Sequence, residues 1–467
     1  MINLSHLNYC PSIMENNFTH LTGALNFTTD TRKFHAPGAF VAIPGAKVNS
    51  LTLIDSLLTR GCQLVVYQAD SDNIAIVQKL KVKYPTTTFT PVKDSVTFLQ
   101  EFSHAHILEW QKQNPKNTVF AISGSNGKTT HKEMLAHILK AIIPGKLVAT
   151  EKNNNNHLGV PLTLLNVTKD TEFVILELGS NHPGEIKVLC DIAEPNAGLT
   201  TNIGATHLEF FGTEEKVFEE EGYLYHAVKS VTGGKGFFLI NKDDPFLAKF
   251  PSTSGTVAYG ESSDAEARIK FLDGGAQLNY KGLELVALNT HITGRHNKLN
   301  LITCAFVAAH FYPQYKSFID VAVAEFRPTK NRSEWIEFQK KPVFLDAYNA
   351  NPSSMRAALL GFKESALQQG FQLTETCVVL GDMNELGNNA PKYHQELGNY
   401  ISELGLPNVY FVGRYADSYL KGFPKGNKRA SSLEFKPEYR RECINKYSIH
   451  FIKGSRSLQL ESLFDIT

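Results

Sequence analysis

The segment Ser123-Gly-Ser-Asn-Gly-Lys-Thr-Thr130 constrains the fold of this chain more than any other. It follows an apolar, β-rich run, Thr118-Val-Phe-Ala-Ile-Ser123, and precedes a helix-period pattern over 130–142. A strand that turns through glycines into a helix is the setting of a phosphate-binding loop. Gly124 and Gly127 let the backbone curl so that its N–H groups face phosphate oxygens. The helix N-terminus adds partial positive charge. Lys128 is spaced to reach the β- and γ-phosphates of a nucleotide, and the Thr129 hydroxyl to ligate Mg²⁺. Gly124, Ser125, Asn126, Gly127, Lys128, Thr129 and Thr130 are therefore the candidate nucleotide contacts. The loop is two residues shorter than G-x-x-x-x-G-K-[ST], so it is a variant. A Gly-rich turn with a surface lysine is the competing reading; strand, glycines, G-K-T and helix in order weigh against it.

The rest of the chain repeats the alternation of strand and helix. At about 150 residues per domain, 467 residues predict three units. Residues 1–115 hold short β-like runs with helical stretches and end in a polar segment, 111–117, that reads as a linker. Residues 116–313 carry further buried-strand candidates over 173–178, 198–202 and 236–240, then hairpins over 267–294 and a helix over 296–310. Residues 314–467 form the third unit, its strand pattern opening near 327, with strands at 343–346, 377–380, 409–412 and 450–452. The predicted class is α/β: a small N-terminal α/β domain, a central P-loop ATPase-like domain with a mostly parallel sheet, and a C-terminal Rossmann-like domain.

Composition narrows the partners. Lys plus Arg number 47 and Asp plus Glu 46, a net charge of +1 that gives no reason to expect a nucleic acid or a membrane surface. No run approaches the roughly 18 apolar residues of a membrane span, and the start lacks the pattern of a secretory signal. Six scattered cysteines without a C-x-x-C pair read as reduced packing residues of a cytoplasmic protein.

Several polar groups stand at ends of predicted strands, where α/β sheets place ligands. Glu177 interrupts the apolar run 173–178; a carboxylate there is either paired or on a metal. His207 follows the run ending Thr201-Asn-Ile-Gly204 and reads as a loop histidine or a Mg²⁺ ligand. Asn155 and Asn156, in Asn153-Asn-Asn-Asn-His157, either cap the next helix or line a substrate path. Gly294-Arg-His-Asn-Lys-Leu-Asn300 puts His296 and Asn300 one helical turn apart, with Asn297 beside them, as a cap or a reader of a base edge. In the third unit two polar loops follow strands: Asp346-Ala-Tyr-Asn-Ala-Asn-Pro352 and Leu380-Gly-Asp-Met-Asn-Glu-Leu-Gly387. Such loops on one sheet converge on one crevice. Arg332 is placed to reach across the domain boundary or to sit in solvent.

Taken together and in this order, these motifs resemble the Mur ligases, ATP-dependent amide-forming enzymes of peptidoglycan precursor synthesis. Glu177-Leu-Gly-Ser-Asn-His-Pro-Gly-Glu185, the two third-unit loops and Lys453-Gly-Ser-Arg456 resemble the branch of the family that adds D-alanyl-D-alanine. The Asp-Asn-Pro-Arg motif of the diamino-acid-adding branch is absent. The resemblance implies a cytoplasmic, monomeric ligase of cell-wall formation, and so of cell shape and division. Its implied substrates are ATP, UDP-N-acetylmuramoyl-tripeptide and D-alanyl-D-alanine, its implied metal Mg²⁺, and its implied intermediate an acyl phosphate.

It also implies roles. Lys128 and Thr129 hold phosphates and Mg²⁺; Glu177 and His207 ligate Mg²⁺; Asn297, with Asn300 nearby, contacts adenine and Asp346 the ribose. Arg332 reaches the γ-phosphate, and Lys128, Glu177, His207 and Arg332 form the catalytic group. Asn155, Asn156, Tyr348, Asn349 and Asn351 line the substrate path. Asp30-Thr-Arg32 matches the family's uridine-binding Asp-Ser-Arg, so Thr31 and Arg32 contact the UDP-sugar. Two positions depart from the family. Val48-Asn-Ser50 stands where Asp-Gly-His is usual, and Glu221 stands where a lysine, carbamylated in several members, bridges Mg²⁺. Glu221 is accordingly the expected further metal ligand; a solvated acidic face over 219–221 is the alternative. Three other readings stay open: a Mur-superfamily ligase with another acceptor, a P-loop ATPase or kinase with appended domains, and a nucleotide-binding protein with impaired catalysis.

Overall fold

A computed structural model describes residues 2–464 other than 16, 19, 20, 22, 23, 46, 47 and 290. Among the described residues, three sheets of five, nine and six strands follow one another along the chain. In the first, Ile2–Asn3 pairs antiparallel with Ala24–Thr28, and Gly38–Ala42, Cys62–Gln68 and Thr88–Val92 continue it in parallel. The helix Ser95–Gln113 then ties two cores together. Phe98, Leu99 and Phe102 pack into the N-terminal core, Ile107 and Trp110 into the central one. The polar segment expected as a linker is thus mostly not loose. Its first three residues end this helix, and the buried Asn117 donates to the Trp110 carbonyl at 2.7 Å.

The nine-stranded sheet has a parallel heart. Thr118–Ser123 lies between Phe173–Glu177 and Ala197–Thr200, all three buried along their lengths. Helices cover both faces, which is why these strands read as unbroken apolar runs. Helix Lys128–Ile142 buries Met134, Leu135, Ile138, Leu139 and Ile142, a one-sided stripe packed with helix Arg295–Phe311. The expected hairpins are the antiparallel strands Ala267–Leu272, Gly275–Tyr280 and Leu283–Leu288. Helix Lys316–Glu325 inserts Ile319, Ala322 and Val323 into the central core, so packing does not break after residue 313.

The six-stranded sheet runs Glu334–Phe338, Lys341–Asp346, Ile449–Lys453, Thr376–Gly381, Val409–Val412, Asn427–Arg429. Its first pair is an antiparallel hairpin and the rest is parallel. Two of its strands carry no clear sequence signal: Glu334–Phe338 is half-buried, and Asn427–Arg429 is a polar edge. All six cysteines are buried and free, as expected. Among the described residues no helix is long and apolar enough to cross a membrane.

Candidate active site

The parallel strands deliver their C-terminal ends to one edge. Ile122 is in register with Glu177 and Ser123 with Thr200, so the phosphate loop emerges between a carboxylate and the Thr201–Asn202 turn. The third sheet faces it with Asp346, in register with Lys453. Between them lies a crevice of about 750 Å³, lined by Lys128, Thr129, Glu177, His207, Asn297 and Arg332 among others. Ser125, Asn126, Gly127, Thr130, Asn155, Asn156, Asn300, Asp346, Tyr348 and Asn349 also face it. With Lys453 also on its lining, residues more than 300 positions apart in sequence reach one space.

The loop spends its own amides internally. Gly124 N–H donates to Glu221 Oε2 at 2.7 Å, Ser125 N–H to the Asn202 carbonyl at 2.9 Å, and Asn126 N–H to Asn202 Oδ1 at 3.2 Å. The expectation that Gly124 turns its amide to phosphate is therefore corrected, and Gly124 does not line the crevice. What remains for an anion is the first turn of helix Lys128–Ile142, whose amides have no acceptor within the helix. Gly124 holds φ +118°, and a Cβ there would lie 2.2 Å from Thr201 Oγ1, so glycine is required. Lys128 Nζ donates back to the Gly124 carbonyl and lies 3.8 Å from Glu221 Oε1.

Glu177 ends its strand in the crevice. Its Oε1 accepts from the Thr129 hydroxyl at 3.0 Å and from Asn155 Nδ2 at 2.9 Å. Its Oε2 is buried without a hydrogen-bond partner among the described residues. A buried, unpartnered carboxylate oxygen beside a hydroxyl with free lone pairs fits a hard cation, and Glu177 with Thr129 is the pair that fits Mg²⁺.

The wider metal set does not gather. Among the described residues no group of three or more His, Cys, Asp or Glu is placed to hold a metal. His207 lines the crevice, but its Nδ1 lies 2.6 Å from Glu385 Oε2 of the third domain. Both partners hold positive φ, +52° and +63°, a conformation that non-glycine residues keep only under tertiary constraint. Hydrogen bonding to His207 holds the Glu385 carboxyl below its ordinary range. Glu221 is buried behind the loop and does not line the crevice, so the structure does not bring it to Glu177 and Thr129. A glutamate is shorter than a carbamylated lysine, and its carboxylate ends at Gly124.

On the third-domain wall, Asp346 Oδ2 accepts from Lys453 Nζ at 2.5 Å and its Oδ1 from Ser333 N–H at 3.2 Å. Lys453 also donates to the Asn349 carbonyl at 3.0 Å. Arg332 places its guanidinium carbon 3.8 Å from the centre of the Tyr348 ring. Asn351 is corrected: it lies outside the crevice, caps helix Pro352–Gln368, and donates to Asn126 Oδ1 at 2.6 Å. Asn126 in turn donates to Ser353 Oγ at 2.9 Å, so phosphate loop and third domain touch directly. Asn156 both lines the crevice and caps helix Gly159–Leu164, through Gly159 N–H at 2.9 Å. Asn297 is buried and donates to the Thr293 carbonyl at 2.9 Å. Burial pushes His296 down to about 4, against the pull of Asp346.

Thr31 and Arg32 do not join this crevice. Arg32 is 87% exposed and pairs with Asp30 at 2.8 Å on a short turn of the N-terminal domain. Sequence reasoning gave no individual role to Lys453 or Glu385. Both sit in quoted motifs, and the signal for each was a charged residue in a polar loop or strand end of the third sheet.

Comparison with known proteins agrees with this geometry. Residues 122–308 match the Mur ligase middle domain, and residues 331–439 the Mur ligase glutamate ligase domain. The UDP-N-acetylmuramoyl-tripeptide–D-alanyl-D-alanine ligase of Rickettsia prowazekii is 31% identical over 378 residues, 76% of this chain and 79% of that protein. The enzyme of the same name from Bacillus subtilis is 29% identical over 457 residues, 93% and 91% of the two chains. A crystal structure of MurF from Acinetobacter baumannii superposes with a TM-score of 0.76 at 26% identity, over 94% of this chain and 92% of that one. With family models matched over 122–308 and 331–439 and a relative 31% identical over 76% of its length, the chain belongs to the Mur ligase family.

Proposed function

We propose that this chain joins D-alanyl-D-alanine to UDP-N-acetylmuramoyl-tripeptide, at the expense of ATP, in peptidoglycan precursor synthesis. The observation that carries the reading is one crevice. It collects a phosphate loop from one domain and Asp346, Tyr348 and Arg332 from another, in a chain similar over 93% of its length to a ligase of that name. The terminal carboxylate of the tripeptide attacks the γ-phosphate of ATP, giving an acyl phosphate and ADP. The amine of D-alanyl-D-alanine then attacks the acyl carbon, and phosphate leaves.

The first step sets an anion against an anion. Lys128, Arg332 and the first-turn amides of helix Lys128–Ile142 oppose that repulsion. Glu177 and Thr129 would hold Mg²⁺, which when bound would neutralise phosphate charge as a Lewis acid. Asn155, bonded to Glu177, borders the same space and is a contact for the incoming peptide; Asn156, Tyr348 and Asn349 extend that path. Asp346 and Asn297 are the nucleoside contacts, and Thr31 and Arg32 the distant UDP contacts. An acyl phosphate hydrolyses readily, so the domains close around it to exclude water, and Asn126 with Asn351 and Ser353 is a contact through which they meet. The same reading makes the protein a cytoplasmic monomer.

The test is ADP release with purified protein. Release over many turnovers is expected only when ATP, UDP-N-acetylmuramoyl-tripeptide and D-alanyl-D-alanine are all present. Sustained release without the dipeptide, or equal sustained release with a single amino acid in its place, would overturn the assignment.

A further inference from the structure

Glu221 has no part in the reaction as laid out above, yet few side chains are as tightly held. Its carboxylate is 3% exposed. Oε2 takes the Gly124 amide at 2.7 Å, and Oε1 faces Lys128 Nζ at 3.8 Å. Lys128 Nζ donates to the Gly124 carbonyl, so Gly124 is gripped on both sides by one charge pair. The Glu221 carbonyl accepts from Ser123 Oγ at 2.8 Å and from Thr200 Oγ1 at 3.4 Å. One residue therefore fixes the ends of two strands, the first glycine of the loop and its lysine.

We infer that Glu221 is a positioning residue of the phosphate loop, acting through Lys128 by its negative charge and not by its bulk. The inference rests on the loop being the nucleotide site. A buried carboxylate beside a lysine restrains where that lysine rests. Without it, Lys128 is free to settle on the bound triphosphate in the ground state. Binding that is equally strong before and during the reaction does not accelerate the chemical step. Loss of the charge therefore lowers turnover while leaving the hold on nucleotide intact or tighter.

Glu221→Gln keeps the shape and an acceptor for the Gly124 amide and removes the charge. Expected is a fall in kcat of about ten-fold, with KM for ATP unchanged or lower and the half-saturating Mg²⁺ concentration unchanged. A several-fold rise in half-saturating Mg²⁺ would make Glu221 a metal ligand and overturn the inference, as would parental kcat and KM. Glu221→Asp keeps the charge and is expected within about three-fold of parental kcat; a loss of about ten-fold overturns it, whether or not Glu221→Gln folds. Calorimetric ADP binding gives a further check in the Lys128→Met background. There Glu221→Gln should no longer alter ADP affinity, and an equal shift in both backgrounds would assign Glu221 a merely structural role. Parental ADP release with all three substrates tests the ligase reading separately, so the two can fail independently.

Discussion

The two walls of the crevice are finished to different degrees. The central wall leaves groups open: Glu177 Oε2 has no hydrogen-bond partner among the described residues, and the first amides of helix Lys128–Ile142 have no acceptor in that helix. The third-domain wall is paired more closely among the described residues. Asp346 is held by Lys453 and Ser333, and Arg332 rests on Tyr348. A wall with open groups takes an anion without giving up contacts. A wall of satisfied groups must exchange protein partners for ligand ones. Removing a group from the first should therefore show in chemistry, and removing one from the second should show first in stability.

Lys128→Ala is the largest break. It removes a charge aimed at the transferring phosphoryl group, and a loss in kcat on the order of 10² or more is expected. Turnover within a few-fold of the parent would mean that this wall is not the phosphate site. Lys453→Met comes next and should separate the two walls. It strands Asp346, 14% exposed, opposite a lysine position that is 3% exposed. Breaking such a pair from one side costs about 3 kcal/mol of folding free energy. Chemical denaturation is the readout, and a parental unfolding midpoint would show that the third wall is not held by this pair.

The same contrast explains what could be read ahead of the structure. The phosphate loop was legible because its parts are contiguous: strand, Gly124, Gly127, Lys128 and helix follow one another, and local geometry decides them. Glu177 was legible because a carboxylate inside an apolar run is costly. The parallel strands announced themselves as apolar runs, and even the antiparallel hairpins broke the rhythm visibly. The closing contacts were not legible, because they depend on register and on packing between domains. Lys453 meets Asp346 across 107 residues only because their strands are neighbours in one sheet. Glu221 aligns with a metal-bridging lysine, and nothing in one sequence tells where a shorter side chain ends. The edge strand Asn427–Arg429 is polar on both faces and carries no period to detect.

Arg332 tests whether a satisfied group on the third wall still contributes to chemistry. Its guanidinium already stacks on Tyr348, so little ordering is needed before it meets a phosphate. Arg332→Ala should lower kcat by about ten-fold, roughly 1.4 kcal/mol. Arg332→Lys should recover part of that, since it restores charge without the planar stack. Full recovery in the lysine variant would show that the stack on Tyr348 positions nothing.

The smallest effect lies where the walls meet. Glu385 and His207 form a contact between domains, but the Glu385 side chain is 49% exposed, and solvent screens such a pair. Glu385→Gln should cost well under 1 kcal/mol at neutral pH. Its pH dependence is more telling than its size. The His207 hydrogen bond lowers the folded-state value of Glu385 below the ordinary 4.5. A carboxylate lowered in this way stabilises the fold fully above 4.5 and loses that contribution as pH falls through its lowered value. The difference in unfolding free energy between parent and Glu385→Gln should thus shrink as pH falls below about 4.5. A difference that grows in acid would mean that Glu385 is stabilised in its protonated form. The contact between the walls would then be a neutral hydrogen bond, with no electrostatic pull of one domain on the other.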